Sequence, residues 1–365
     1  MVKRLRILHV AEVRGIGGLQ NWCLGLAEAQ QRMGHEVAII SPPYVGDQEI
    51  PSILSGKIPL RAWDIGCFKE ADVIHLYGPS EIYAPLIKKQ YPYLPIFCTS
   101  FGAHPSVLLA LGRWLNVGWY LNFLRHWHMI RREAIGLRWV DRIIASSRRV
   151  MKEVYLFYRV PVSKITVIHG GYWKREINAT KEELRKRLGL PVIGKLILFV
   201  GRPDPVKGFD SVLKCFKKLR SQRKDVFLIT APPQEFDNQE GVIGLRPFWH
   251  QMPELYCACD ILVSASKYEG YSLAIHEAMA YGLPVIIPDC VGIIDLCVPN
   301  ENAIVLPRWN NFEKRLLEAL ERLLEDEFLR LRLGQNARAT MEHRTWDWVA
   351  QETEKVYISV LEGSK

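Results

Sequence analysis

An alternation runs the length of this chain and restricts its fold more than any other feature: short apolar runs of strand character, each followed by a stretch with helical spacing. In the first half, residues 6–11, 36–41, 72–76, 96–100, 142–146 and 165–168 read as strands. In the second half, 195–201, 226–230, 261–264 and 284–288 do. Strands separated by helices pair in parallel, because each crossover returns the chain to the same end of the sheet. After the first strand, Trp22, Leu26 and Ala29 recur at helical spacing until Gly34 stops the helix. Thr180 with Glu183 forms a capping-box pattern that opens a helix ending at Gly189. Residues 346–361 carry Trp346, Val349, Val356, Tyr357 and Val360 along a last helix.

Two such series in 365 residues predict two doubly wound domains. The expected boundaries are 1–173, 174–345 and a terminal helix, 346–365, that packs back on the first domain. With 48% apolar and 24% charged residues, the chain is globular and needs neither disulfides nor a structural metal to fold. Its eight cysteines lack C-x-x-C spacing and mostly sit in apolar runs, which reads as reduced, buried thiols in a cytoplasmic protein. The start, Lys3-Arg4-Leu5-Arg6-Ile7-Leu8, has too short an apolar part for a secretory signal. Residues 106–124 are apolar but interrupted by Arg113, Asn116 and Asn122, which argues against a membrane span.

Ligands of open parallel sheets sit beyond the carboxyl ends of the strands, and four segments fall there. Gly15-Ile16-Gly17-Gly18 lets backbone approach a ligand and precedes a helix N-terminus that favours an anion. It lacks the third glycine of the dinucleotide fingerprint, so a tight turn without a ligand is the competing reading. In Gly201-Arg202-Pro203-Asp204-Pro205-Val206-Lys207-Gly208, Arg202 and Lys207 are placed to converge on a diphosphate, the first as a planar fork and the second as a point charge. The segment from Tyr268 to Ala280 carries Glu269 in a loop and Glu277 on the helix that starts near Ser272. Carboxylates accept hydrogen bonds from sugar and ribose hydroxyls, and the first amides of the helix hold phosphate. In the fourth, Ser100-Phe101-Gly102-Ala103-His104-Pro105, His104 is placed to touch a sugar or a leaving phosphate. Each has a plain alternative: solvated loop cations, an ordinary helix glutamate, a loop histidine without a role.

Taken together, Gly201-Arg202, Lys207-Gly208, Glu269-Gly270 and the run from Glu277 through Ala278-Met279-Ala280-Tyr281-Gly282-Leu283-Pro284-Val285 resemble the retaining glycosyltransferases of family 4. The resemblance extends over nearly the whole chain, with Gly17-Gly18, Ile144-Ala145-Ser146-Ser147, Asp260 and Trp346 adding to it. It implies an α/β fold of the GT-B type: two Rossmann-like doubly wound domains, a cleft between them, and a C-terminal helix crossing back. It further implies a nucleotide-diphosphate sugar as donor, bound mainly to the second domain, with no cofactor. By motif, Arg202 and Lys207 would hold the diphosphate. Glu269 would bind donor-sugar hydroxyls, with the backbone of Gly270, Tyr271, Ser272 and Leu273 beside it, and Glu277 the ribose diol. The base would lie near Gly244-Leu245-Arg246, while Gly17 and Gly18 would close over the diphosphate and acceptor. His104 joins Glu269, Arg202 and Lys207 as the candidate catalytic set. No Asp-x-Asp metal motif stands in a suitable loop, so the two cations are expected to replace a metal ion. The chain departs from the family pattern at Phe101, where a histidine is frequent, at Gly170-Gly171-Tyr172-Trp173, and at Val291-Gly292-Ile293.

The overall charge is +9, and residues 113–159 hold ten cations against three acids, interleaved with Trp114, Trp119, Trp127 and Trp139. Aromatics among cations suggest an anionic membrane surface near residues 106–132 and hence a lipid-linked or surface-glycan acceptor. The alternatives are that this face packs on the sheet, that the acceptor is a small soluble sugar, or that the chain is a non-catalytic sugar-nucleotide binder. Nucleic acid is not expected, because no recognition motif accompanies the charge. The expected location is cytoplasmic, peripheral on the inner face of the membrane.

Overall fold

The computed structural model describes residues 4–12, 17–41, 58–78, 80–103, 105–106, 117–232 and 239–363, with the backbone alone for 117–126. The chain divides into two compact units, Met1–Trp173 with Arg344–Lys365, and Lys174–His343.

The first unit holds β1 (Arg6–Ala11), α1 (Gly18–Arg32), β2 (Glu36–Ser41), β3 (Leu60–Ala62), β4 (Val73–Tyr77), α2 (Ser80–Gln90), β5 (Ile96–Ser100), α3 (Val117–Gly136), β6 (Arg142–Ala145), α4 (Arg148–Tyr158) and β7 (Ile165–Val167). The strands form one parallel sheet in the order β3-β2-β1-β4-β5-β6-β7. Leu8 of β1 lies opposite Ala38 on one side and Ile74 on the other. Every residue of β4 is buried, as in a sheet covered on both faces. Leu8, Ile40, Ile74, Ile96 and Ile143 pack with Tyr83 and Ile87 of α2 and Val150 and Val154 of α4 into one core.

The second unit holds α5 (Lys181–Arg187), β8 (Lys195–Val200), α6 (Phe209–Gln222), β9 (Val226–Ala231), β10 (Val242–Gly244), α7 (Met252–Ala258), β11 (Ile261–Val263), α8 (Leu273–Ala280), β12 (Val285–Pro288), β13 (Ile304–Leu306), α9 (Phe312–Glu325) and α10 (Glu327–Met341). Its parallel sheet runs β10-β9-β8-β11-β12-β13. The capping box forms at α5: Thr180 caps the backbone N–H of Glu183, whose carboxylate returns to the Thr180 N–H at 2.7 Å. Buried Asp260 ties α5 to the sheet, accepting from Arg185 and from the Leu196 N–H, both at 2.7 Å. The lysine and arginine around it and that N–H hold its carboxyl below the usual range against the cost of burial. The short strands β3, β10 and β13 were not expected from sequence.

α11 (Trp346–Gly363) belongs to the first unit. Trp346 is fully buried, with Trp22 and Trp173 rings 5.7 and 5.5 Å away. α1 presents Gly25 to it, and a Cβ there would lie 2.3 Å from the indole, so the close approach requires glycine. Farther along α11, Tyr357 enters a buried polar network. Its hydroxyl meets His75 Nδ1 at 2.5 Å and receives the Gln30 amide at 3.3 Å. His75 Nε2 meets Thr99 Oγ1 at 2.7 Å, while His9 bridges Tyr77 and Gln30 at 2.9 and 2.8 Å. Burial lowers the His9 pKa to about 4 and pushes that of His75 well below the ordinary value, with His9 adding to the effect.

Candidate active site

In the second sheet the chain steps from β8 outward to β10, then returns to place β11 on the other side of β8. The crevice at such a reversal, beyond the carboxyl ends of the strands, is where this class of sheet binds ligands. The loops that leave β8 and β11 there carry Arg202 with Lys207, and Glu269.

The first loop is shaped by its own residues. Asp204 accepts from the Val206 N–H at 2.8 Å and starts a single 3₁₀ turn, Pro205–Lys207. Gly208 then takes φ +69°, and a Cβ on it would lie 2.1 Å from the Ala265 carbonyl oxygen. Glycine is therefore required both for the turn and for the contact with the second loop. Arg202 is exposed, with no ion-pair partner among the described residues.

The second loop is held against the first by the Lys267 N–H, which donates to Val206 O at 2.7 Å. Lys207 Nζ donates to Glu269 Oε1, and Ser266 Oγ donates to the other carboxylate oxygen at 3.2 Å. The departing segment Val291-Gly292-Ile293 touches this loop directly: the Gly292 N–H donates to Glu269 O at 2.9 Å. Gly270, Tyr271 and Ser272 follow, all buried, and Ser272 caps α8, which begins at Leu273. Glu277 lies one turn farther, half-buried, its carboxylate accepting from Tyr256 on α7 at 2.9 Å. Burial raises its pKa to about 7, against the opposing effect of that hydrogen bond. Tyr256 is in turn held well above its ordinary value by burial and by the Glu277 charge. Arg246 is exposed just beyond β10, where the Leu245 N–H continues the ladder to Thr230 O at 2.8 Å.

The second unit thus brings Lys207 and Glu269 into contact, with Arg202 on the adjoining loop and Glu277 on the helix that follows. The other candidates belong to the first unit. Gly17 caps α1 and Gly18 begins it, after β1 at that sheet's own point of reversal. His104 lies outside the described residues. Phe101, at the family's histidine position, packs edge-on against Trp22 at 5.2 Å. Sequence reasoning missed Ser266, Tyr256 and the Tyr271–His276 pair, because none is an ionic partner that a motif announces. A groove of about 260 Å³ between β7 and α11, lined by Thr166, Trp348, Glu352 and Val356, holds none of these residues.

A second surface lies on α3 and α4. Trp127, Arg131, Arg132 and Ile135 are exposed on α3, Arg138 and Trp139 on the 3₁₀ turn that follows it, and Lys152, Tyr155 and Leu156 on α4, with Arg159 at its end. Arg113 and Trp114 lie outside the described residues, as do the side chains of Trp119 and Arg125. Among the described residues, no helix is long and apolar enough to cross a membrane.

Two parallel doubly wound units are the architecture of the GT-B fold, and in the second the cations and carboxylates stand at the strand reversal. A family model described as Glycosyltransferase Family 4 matches residues 16–172, and one described as Glycosyl transferases group 1 matches residues 180–340. The chain belongs to glycosyltransferase family 4 and is a glycosyltransferase. It is 25% identical to an uncharacterized glycosyltransferase of Methanocaldococcus jannaschii, covering 96% of each chain. To a GDP-mannose-dependent alpha-mannosyltransferase of Mycobacterium tuberculosis it is also 25% identical, covering 95% of each. Among solved structures, Anabaena HepE in complex with UDP and glucose superposes with a TM-score of 0.79 at 16% identity, covering 98% of this chain and all of that one.

Proposed function

We propose that this glycosyltransferase moves a sugar from a nucleotide-diphosphate sugar to an acceptor hydroxyl, with retention and without a metal ion. The observation that carries the reading is the Lys207–Glu269 contact at the strand reversal, with Arg202 beside it. Relatives named for GDP-mannose and a neighbour solved with UDP support the donor class.

In the resting site Lys207 neutralises Glu269. A donor diphosphate offers Lys207 a stronger anion, and Glu269 is then free to accept from sugar hydroxyls. As the bond between the anomeric carbon and the phosphate oxygen breaks, negative charge collects on the diphosphate. Arg202, Lys207 and the amides that open α8 stabilise it, each such donor contributing roughly 3 kcal/mol. The acceptor oxygen bonds to the anomeric carbon on the face the phosphate leaves, and its proton passes to a phosphate oxygen. Transfer is expected to persist in excess EDTA and to keep the donor's anomeric configuration, read by NMR of the product. Abolition by chelation with rescue by Mn²⁺, or an inverted product, overturns this mechanism. Nucleotide binding without transfer to any acceptor identifies a non-catalytic binder.

Burial pushes the Glu277 carboxyl up to about 7, so it changes charge near neutrality. Its carboxylate accepts both ribose hydroxyls, whereas its acid form does so poorly. Nucleoside-diphosphate affinity is therefore expected to rise between about pH 6 and pH 8, and Glu277→Gln to flatten that profile. A parent profile already flat by calorimetry removes Glu277 from the ribose.

The acceptor in this reading is lipid-linked or a surface glycan, and the aromatic and basic face of α3 and α4 is what supports it. Each cation near an anionic membrane contributes roughly 1 kcal/mol, and salt screens the attraction. Co-sedimentation with phosphatidylserine vesicles is expected at low salt and not at about 1 M, where the Debye length is ~3 Å. Equal binding to neutral vesicles, or none to anionic ones, favours a small soluble acceptor. Such a location is cytoplasmic, on the inner face of the membrane.

A further inference from the structure

The loop between β11 and α8 leaves the sheet and keeps only a single parallel bridge, Glu269 with Val291. Its first part is tied down from outside: Lys267 to Val206, Glu269 to Gly292, and Ser266, whose carbonyl accepts from Cys290 Sγ at 3.1 Å. Gly270, Tyr271 and Ser272 follow in the chain and lead into α8, with Ser272 as its cap. There the Tyr271 side chain turns inward, 8% exposed, and its hydroxyl meets Nδ1 of fully buried His276 at 2.5 Å. Buried hydroxyls and imidazoles need partners, so each of these groups restricts where the other can sit. His276 directly precedes Glu277. Successive helix residues point about 100° apart, so one turn of α8 addresses the loop with His276 and Tyr256 with Glu277.

We infer that His276 is a positioning residue: through Tyr271 it holds the amides of Gly270, Tyr271 and Ser272 where the donor's diphosphate and sugar are bound, an inference that rests on the donor reading of this loop. The hydroxyl and Nδ1 share one hydrogen bond, whose donor is set by the imidazole tautomer. Asparagine at this position offers its amide oxygen close to where Nδ1 sits, whereas leucine fills the space and accepts nothing.

The test uses the full chain, with UDP and GDP titrated by calorimetry. Tyr271→Phe and His276→Leu are each expected to weaken binding about tenfold, the size of one net hydrogen bond. The double variant is expected to bind no more weakly than either single one, and His276→Asn to bind as the parent does. Hydrogen exchange rises in Tyr271→Phe over residues 268–274 more than in peptides elsewhere in the second unit, beyond what its modestly lowered melting temperature accounts for. Parent-like affinity in Tyr271→Phe, additive losses in the double variant, or equal losses in His276→Asn and His276→Leu overturn the inference. If His276→Leu does not fold, Tyr271→Phe and His276→Asn decide alone. Lys207→Ala separates the two levels: binding lost there but intact in Tyr271→Phe leaves the donor reading standing without the positioning role. If neither nucleotide binds the parent, both fall.

Discussion

Replacing Arg202 or Lys207 by alanine is expected to lower kcat/KM for the donor by about 10²–10³-fold each, as for other single groups that face developing charge. The two losses have different origins. Arg202 is exposed on the loop after β8, so removing it leaves the packing of that loop unchanged. Lys207 also neutralises Glu269, and its removal leaves that half-buried carboxylate with Ser266. Lys207→Ala therefore weakens both the hold on the diphosphate and the placing of the sugar-binding carboxylate. Lys207→Arg, which keeps the charge, is expected to recover part of the rate. Initial rates with saturating acceptor, checked against unchanged circular dichroism, measure this. Unaltered rates in both alanine variants would falsify the assignment of the cation pair.

The first unit is expected to lose stability in acid. His9 and His75 are buried and held neutral, with His9 at about 4 and His75 well below its ordinary value. Their unfolded counterparts titrate near about 6.5. Below that pH the unfolded chain binds protons that the folded chain refuses, so stability falls as the solution is acidified from about 6.5 toward 4. For His9 the loss approaches roughly 3 kcal/mol at the low end, because each pH unit between the unfolded and folded titrations contributes about 1.4 kcal/mol. His75 adds to it in the same direction. Above about pH 6.5 both contribute their full stabilising effect, and the pH dependence from this source disappears. Urea unfolding followed by tryptophan fluorescence, which reports Trp22, Trp173 and Trp346, should give a lower midpoint at pH 5 than at pH 7.5. His75→Gln is expected to lessen the difference. Identical midpoints at the two pH values would show that the network accepts protons without opening.

The longer strands were legible because their apolar runs are continuous, as burial on both faces demands; β1, β2 and β5 begin and end where the pattern does. The start of α5 was equally plain, since Thr180 and Glu183 satisfy each other locally. Three-residue strands such as β3 and β13 left no period to read, and their place is decided by neighbours across the sheet. The second unit's cations and carboxylates stood out because charged residues after strand ends have few structural uses. Their spatial order did not, because the return of β11 to the flank of β8 is a pairing choice that no local residue encodes. The same holds for His75, whose partner Tyr357 lies 282 residues away. Tyr271 was considered for its amide alone, although its hydroxyl has a partner only five residues on.

The central claim is that Arg202, Lys207, Glu269 and Glu277 form one donor site at the strand reversal of the second unit. A crystal structure of the chain with UDP or GDP, whichever binds more tightly, tests it most directly. The account predicts diphosphate oxygens within hydrogen-bond distance of Arg202 and Lys207, the ribose diol on Glu277, and Glu269 turned away from Lys207. A nucleotide bound elsewhere, with the Lys207–Glu269 pair intact, would contradict it.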